Sequence, residues 1–202
     1  AAMGIGAGIG GLTISKYGIE TALWIDSLTF LVAILLIISL PHGGPDKSTE
    51  RFFSPRAMLN EIISGWSYIL SKPSIRRVVL AKAMWASGGG AQVFLLILIG
   101  KEAGFGNVAA GIGILYMARG FGSGFGPIVS RRFMANQMLI PYLLGGVLVI
   151  SGVFYIAVAA SEWTMIILVY VFISHAASGV NWVLSTTMLQ QRSEDEWLGR
   201  VF

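Results

Sequence analysis

Residues 138–160 read MLIPYLLGGVLVISGVFYIAVAA, without a single charge. A helix that long rises about 1.5 Å per residue and covers the roughly 30 Å of a bilayer's hydrocarbon. Working outward, 108–130, 78–100 and 19–40 upstream and 163–189 downstream are apolar stretches of the same length. Residues 1–15 (AAMGIGAGIGGLTIS) look like the end of another span, and a further helix is expected after Val201-Phe202. The chain is therefore expected to be a piece of a longer protein. The apolar runs are continuous rather than alternating, so they predict helices and not the strands of a barrel. The expected fold class is an all-α membrane protein, a multi-span transmembrane helix bundle.

Composition agrees. Mean hydropathy is +0.74, and 12% of residues are charged, about half the share found in soluble domains. With no cysteine there is no disulfide, thiolate metal site or cysteine nucleophile. His42 and His175 stand too far apart in sequence to offer metal-ligand spacing. No metal and no cofactor is expected.

The net charge of +4 raises a nucleic-acid reading, but the basic residues follow topology. Segment 42–77 holds Lys47, Arg51, Arg56, Lys72, Arg76 and Arg77, the turn after 108–130 holds Arg131 and Arg132, and the tail holds Arg192 and Arg200. The alternate connections hold only Lys16 and Lys101. Basic loops stay cytoplasmic, so the first group is expected inside and nucleic acid is not an expected partner. The expected partners are the lipid bilayer, a small molecule and the missing helices of the same parent protein.

Between the spans, Pro41 to Pro45 should stop a helix, and 43–54 is polar and expected to be mobile. Ser54-Pro55 suits an N-cap followed by the first helical position. Met58, Leu59, Ile62, Ile63, Trp66, Ile69 and Leu70 then form one stripe at helical spacing. That pattern predicts a helix lying in the cytoplasmic membrane interface. A helix packed on another protein surface is the alternative.

Glycine is arranged in two ladders, Gly4-Ile5-Gly6-Ala7-Gly8-Ile9-Gly10-Gly11 and Gly120-Phe121-Gly122-Ser123-Gly124-Phe125-Gly126-Pro127. Each contains two offset G-x-x-x-G pairs, the spacing that lets membrane helices approach backbone to backbone.

These segments resemble the major facilitator superfamily, in particular the bacterial macrolide-efflux and siderophore-exporter branch. Gly6-Ala7-Gly8-Ile9-Gly10-Gly11 is similar to its fifth-helix antiporter motif G-P-x-x-G-G, with Ala7 in place of proline. Ala22-Leu23-Trp24-Ile25-Asp26-Ser27-Leu28-Thr29-Phe30 resembles the opening of the sixth helix, and Gly65 to Leu70 followed by Pro73 and Arg76 the central interfacial helix. Gly126-Pro127-Ile128-Val129-Ser130-Arg131 resembles the loop G-x-L-a-D-R after the eighth helix, with Ser130 for aspartate. Glu194 to Val201, containing Gly199 and Arg200, resembles the acidic x-x-R-G-R-V turn after the tenth, with Leu198 for the first arginine. The resemblance implies a partial major-facilitator fold covering helices five to ten of twelve. Residues 1–41 would close the N-terminal bundle, 42–77 would be the cytoplasmic linker, and 78–202 would open the C-terminal bundle. It further implies secondary active efflux of a drug-like or siderophore-like compound, with the proton as coupling ion, in a bacterial inner membrane.

Charges at membrane depth are costly and mark functional candidates. Arg119 sits in mid-span, where it could bind an anionic group or pair with an acid on a helix outside this chain. His175 has an imidazole suited to proton coupling but could equally be a buried, hydrogen-bonded core residue. Gln92, Trp85, Asn181 and Trp182 suit a cavity for a large, partly apolar molecule, and each could instead serve packing. Asp26 and Lys82, near span ends, read as structural, and Ser87-Gly88-Gly89-Gly90 should weaken its helix. Two other classes compete. A membrane-embedded enzyme lacks support, since no H-E-x-x-H, G-x-S-x-G or pair of intramembrane carboxylates is present. A non-transporting membrane scaffold is the other.

Overall fold

The computed structural model describes residues 2–40, 54–102, 106–136, 138–162 and 165–201. These form α1 (Ala2–Tyr17), α2 (Ile19–Ile38), α3 (Pro55–Ser71), α4 (Pro73–Glu102), α5 (Val108–Met134), α6 (Ile140–Ala160) and α7 (Ile166–Arg192). A 3-10 turn (Asp195–Trp197) and the short α8 (Leu198–Val201) follow. No strand occurs among the described residues. Of the connections expected from sequence, the 41–53 stop and polar stretch, 103–105, Gln137 and 163–164 lie outside them.

Local chemistry sets the boundaries. Gly18 at φ 86° separates α1 from α2, a left-handed conformation that costs glycine nothing. Pro55 and Pro73 each occupy a first helical position, and Lys72 before Pro73 is extended, as the proline ring requires of its predecessor. Ser54 holds the cap position of α3, but its hydroxyl makes no capping bond. Asn107 does cap α5: its Oδ1 accepts from the N–H groups of Ala109 at 2.8 Å and Ala110 at 3.4 Å.

Length and hydropathy by themselves mark α2, α4, α6 and α7 as membrane-crossing among the described helices. Residues 108–130 were expected to be another such span. The helix there, α5, is as long as α7, but its glycines and three arginines lower its hydropathy. It packs in the middle of the bundle against α1, α4 and α7, where a helix shielded from lipid needs less hydropathy than one that faces it.

The core is centred on α7. One apolar cluster joins Ile75 and Val78 of α4, Ile140 and Val147 of α6, and Ala177, Val180, Leu184 and Met188 of α7. A second joins Leu96, Leu115, Val158, Ile167 and Val171. By contrast α2 buries no residue. The expected weakening at Ser87 to Gly90 does not interrupt α4, which runs unbroken from Pro73 to Glu102. The stripe of α3 divides: Ile69 is buried with Gly65 and Tyr68, whereas Met58, Leu59, Ile62, Ile63, Trp66 and Leu70 remain exposed.

Candidate functional site

A cavity of 490 Å³ opens among α1, α4, α5 and α7. Its lining includes Trp85, Gly89, Gly90, Gln92 and Val93 from α4, Arg119 and Ser123 from α5, and His175, Ser178, Gly179 and Trp182 from α7, with Met3 of α1 at the edge. Helical spacing explains the selection. Positions 85, 89 and 92 repeat at i, i+4 and i+7, as do 175, 179 and 182, so each set occupies one face.

Five of the residues singled out from sequence, Arg119, His175, Gln92, Trp85 and Trp182, therefore meet in one place. Asn181 does not join them. It is 1% exposed, and neither its amide nitrogen nor its amide oxygen has a hydrogen-bond partner among the described residues. One residue along the helix turns a side chain by about 100°, enough to separate it from its neighbour Trp182.

Several residues not foreseen hold the walls. Trp85 Nε1–H donates to Ser178 Oγ at 2.7 Å, tying α4 to α7, and the rings of Trp85 and Trp182 lie 5.8 Å apart. Lys82 Nζ stands 4.4 Å from the centroid of the Trp182 ring and donates to Thr186 Oγ1 at 2.9 Å. Tyr116 Oη donates to the Val93 carbonyl at 3.0 Å, and the Arg119 guanidinium lies over the Tyr116 ring at 5.5 Å. His175 Nδ1 is 3.0 Å from the Val171 carbonyl. A carbonyl can only accept, so Nδ1 carries the proton there and Nε2 faces Tyr155 Oη at 3.5 Å. The sequence signal for Ser178 was its spacing of three from His175 and four from Trp182. Tyr116 and Tyr155 gave none.

The glycine ladders surround this site unequally. A Cβ on Gly4 would meet the Met117 carbonyl oxygen at 3.0 Å, one on Gly11 the Gly113 Cα at 2.8 Å, and one on Gly120 the backbone of Gly4. These contacts run antiparallel along α1 and α5. Gly8 faces only the Met117 sulfur, at 2.8 Å, while Gly6 and Gly10 face open space. Gly122 and Gly126 abut the carbonyls of Phe172 and Ala176 on α7 instead, and Gly124 is half-buried. Pro127 has no N–H, which leaves the Ser123 carbonyl without its helical donor. Gly179 packs directly on that oxygen.

The loop residues lie elsewhere. Arg131 borders a separate 270 Å³ groove with Met134, Ile140 and Gln191. Gly199 is exposed, and Arg200 reaches Glu61 at 3.7 Å and the Trp197 ring at 4.9 Å. No group of acidic, histidine or cysteine side chains able to hold a metal occurs among the described residues.

Apolar helices of bilayer length around a largely apolar cavity with a few polar and aromatic side chains define a multi-pass membrane protein. The family model described as Major Facilitator Superfamily matches residues 1–202, and the chain belongs to that superfamily of membrane transporters. No curated protein and no solved structure matches the chain.

Proposed function

We propose that this chain contributes the substrate path of a secondary active transporter that exports a drug-like or siderophore-like compound by alternating access, coupled to proton entry. The observation that carries the reading is the convergence of Arg119, His175, Gln92, Trp85 and Trp182, from three helices, on one 490 Å³ cavity. That volume suits a drug-sized ligand, for which pockets of about 300–1,000 Å³ are usual. Residues 1–41 belong to one bundle and 78–202 to the other, with 42–77 as the linker, and the two rock about the cavity. His175 is the candidate for carrying the coupled proton, with Tyr155 beside its Nε2. The basic segments face the cytoplasm of a bacterial cell.

Reconstitution of the full-length protein in liposomes loaded with a pH-reporting dye tests this reading. Added compounds, from neutral macrolides to organic anions, should include at least one whose movement is accompanied by proton movement. Arg119→Ala should abolish that movement, and Arg119→Lys should reduce it, while both insert normally. If no compound crosses, or if Arg119→Ala transports as wild type does, the proposal fails.

A further inference from the structure

The cavity's electrostatics and shape narrow its ligand, granted the reading of this cavity as the transport site. We propose that it takes planar aromatic anions, the ring lying against Trp85 and Trp182 and the acidic group on Arg119.

Among the described residues of the cavity lining, Arg119 is the one formally charged side chain. A guanidinium keeps its charge in any protein setting, and a charge at membrane depth needs compensation. No salt bridge to Arg119 occurs among the described residues. The carboxylates there sit on α2 and α3, at the end of α4, or in the turns, none in the lining. Lys82, one turn from Trp85 on α4 and against the Trp182 ring, is also positive. A cationic ligand would meet a like charge at Arg119, whereas a carboxylate or sulfonate would accept the paired N–H groups of Arg119 in the two-pronged geometry that favours such anions.

The aromatic half of the ligand follows from the walls. Trp85 is pinned by its bond to Ser178, and the two indoles stand tilted by 50°. They flank space that Gly89 and Gly90 leave open, since a Cβ on either would meet nothing within 4 Å. A flat ring fits beside indole faces, gaining about 0.5–1.5 kcal/mol per aromatic pair beyond its burial. Arg119 is itself steadied over Tyr116, whose hydroxyl is fixed to the Val93 carbonyl, so little ordering is needed when the anion arrives.

The test uses three near-isosteric probes: 2-naphthoate, its neutral amide 2-naphthamide, and the cation 2-naphthylmethylammonium. Binding of each to the full-length protein in phosphatidylcholine nanodiscs is measured by equilibrium dialysis, with empty nanodiscs subtracted. Naphthoate should bind at least about tenfold more tightly than the amide, a difference of roughly 1.4 kcal/mol, and the cation more weakly than either. Arg119→Gln should erase the preference for the anion, and Arg119→Lys should keep part of it. Trp182→Leu should weaken all three probes by a similar factor. Equal binding of the three, tighter binding of the cation, no binding at all, or an anion preference that survives Arg119→Gln would each overturn the proposal. The wild-type series alone decides the charge preference if a variant does not fold. Liposome uptake separates this inference from the transport reading. Arg119-dependent naphthoate binding without movement across the bilayer leaves the ligand class standing and removes the transporter role. Equal transport of all three probes does the reverse.

Discussion

The ring of Tyr68 on α3 stacks on that of Trp197, with centroids 4.6 Å apart and planes within 1° of parallel. Around the pair, Tyr68 Oη accepts from the Glu194 N–H at 3.2 Å, Lys72 meets the Glu194 carboxylate at 3.2 Å, and Arg200 meets Glu61 at 3.7 Å. The ion pairs are exposed and contribute little, in the range of about 0–1 kcal/mol each. The stacked rings, with Ile69 buried beside them, are the stronger link. Together these contacts fasten the amphipathic helix to the segment that follows α7.

Removing one ring should loosen that link. The chain has no cysteine, so Ile69→Cys provides a single reporter at a position 5% exposed. Its reaction with a small thiol reagent should be slow, and Trp197→Ala should speed it several-fold, in keeping with a stacking contribution of about 1 kcal/mol. An unchanged rate would show that α3 is held by other contacts.

The glycines of α1, and Gly120 facing them from α5, should rank by what a methyl group would strike. Gly4→Ala, Gly11→Ala and Gly120→Ala press on backbone and should destabilise the purified protein by about 1–3 kcal/mol, the usual cost of overpacking. Gly8→Ala strikes only the flexible end of Met117 and should cost less. Gly6→Ala and Gly10→Ala meet nothing and should be neutral or stabilising, since alanine favours a helix by up to about 1 kcal/mol over glycine. Thermal unfolding in detergent measures the order. A loss at Gly6 or Gly10 equal to that at Gly120 would contradict it.

Asn181 buries an amide whose two polar atoms lack partners among the described residues. An unsatisfied buried polar group costs about 1–3 kcal/mol. Asn181→Leu, which keeps the branched shape and the number of side-chain heavy atoms, should therefore raise the unfolding temperature by a few degrees. A clear fall would mean that a bound water or another helix satisfies the amide.

Sidedness is checked with two further single cysteines. Asn136→Cys, beside the basic turn after α5, should resist a membrane-impermeant thiol reagent in intact cells. Glu162→Cys, at the opposite end of α6, should react. The reverse labelling pattern would invert the orientation.

Helix positions were legible in the sequence because they depend on local signals. Hydropathy over about 20 residues, with Pro55 as a first helical position, locates the described helices to within about five residues. The amphipathic stripe of α3 was also plain, since a helix meeting water on one side must vary around its circumference. The candidate residues at membrane depth stood out in the same way, as polar side chains in apolar surroundings.

Facing was not legible. In a helix such as α6 or α2, interior and lipid-exposed surfaces are both apolar, because lipid tails exert no hydrophobic sorting on them. The pattern around the helix then carries little information about which side is buried. So the sequence by itself determined that this is a bundle of membrane helices and named the polar residues within it. Tertiary structure alone decided that Gly4 meets Gly120 while Gly6 meets nothing, and that Trp182 enters the cavity while Asn181 turns away. Those choices rest on where the neighbouring helices pack, and no local stretch of the chain records that.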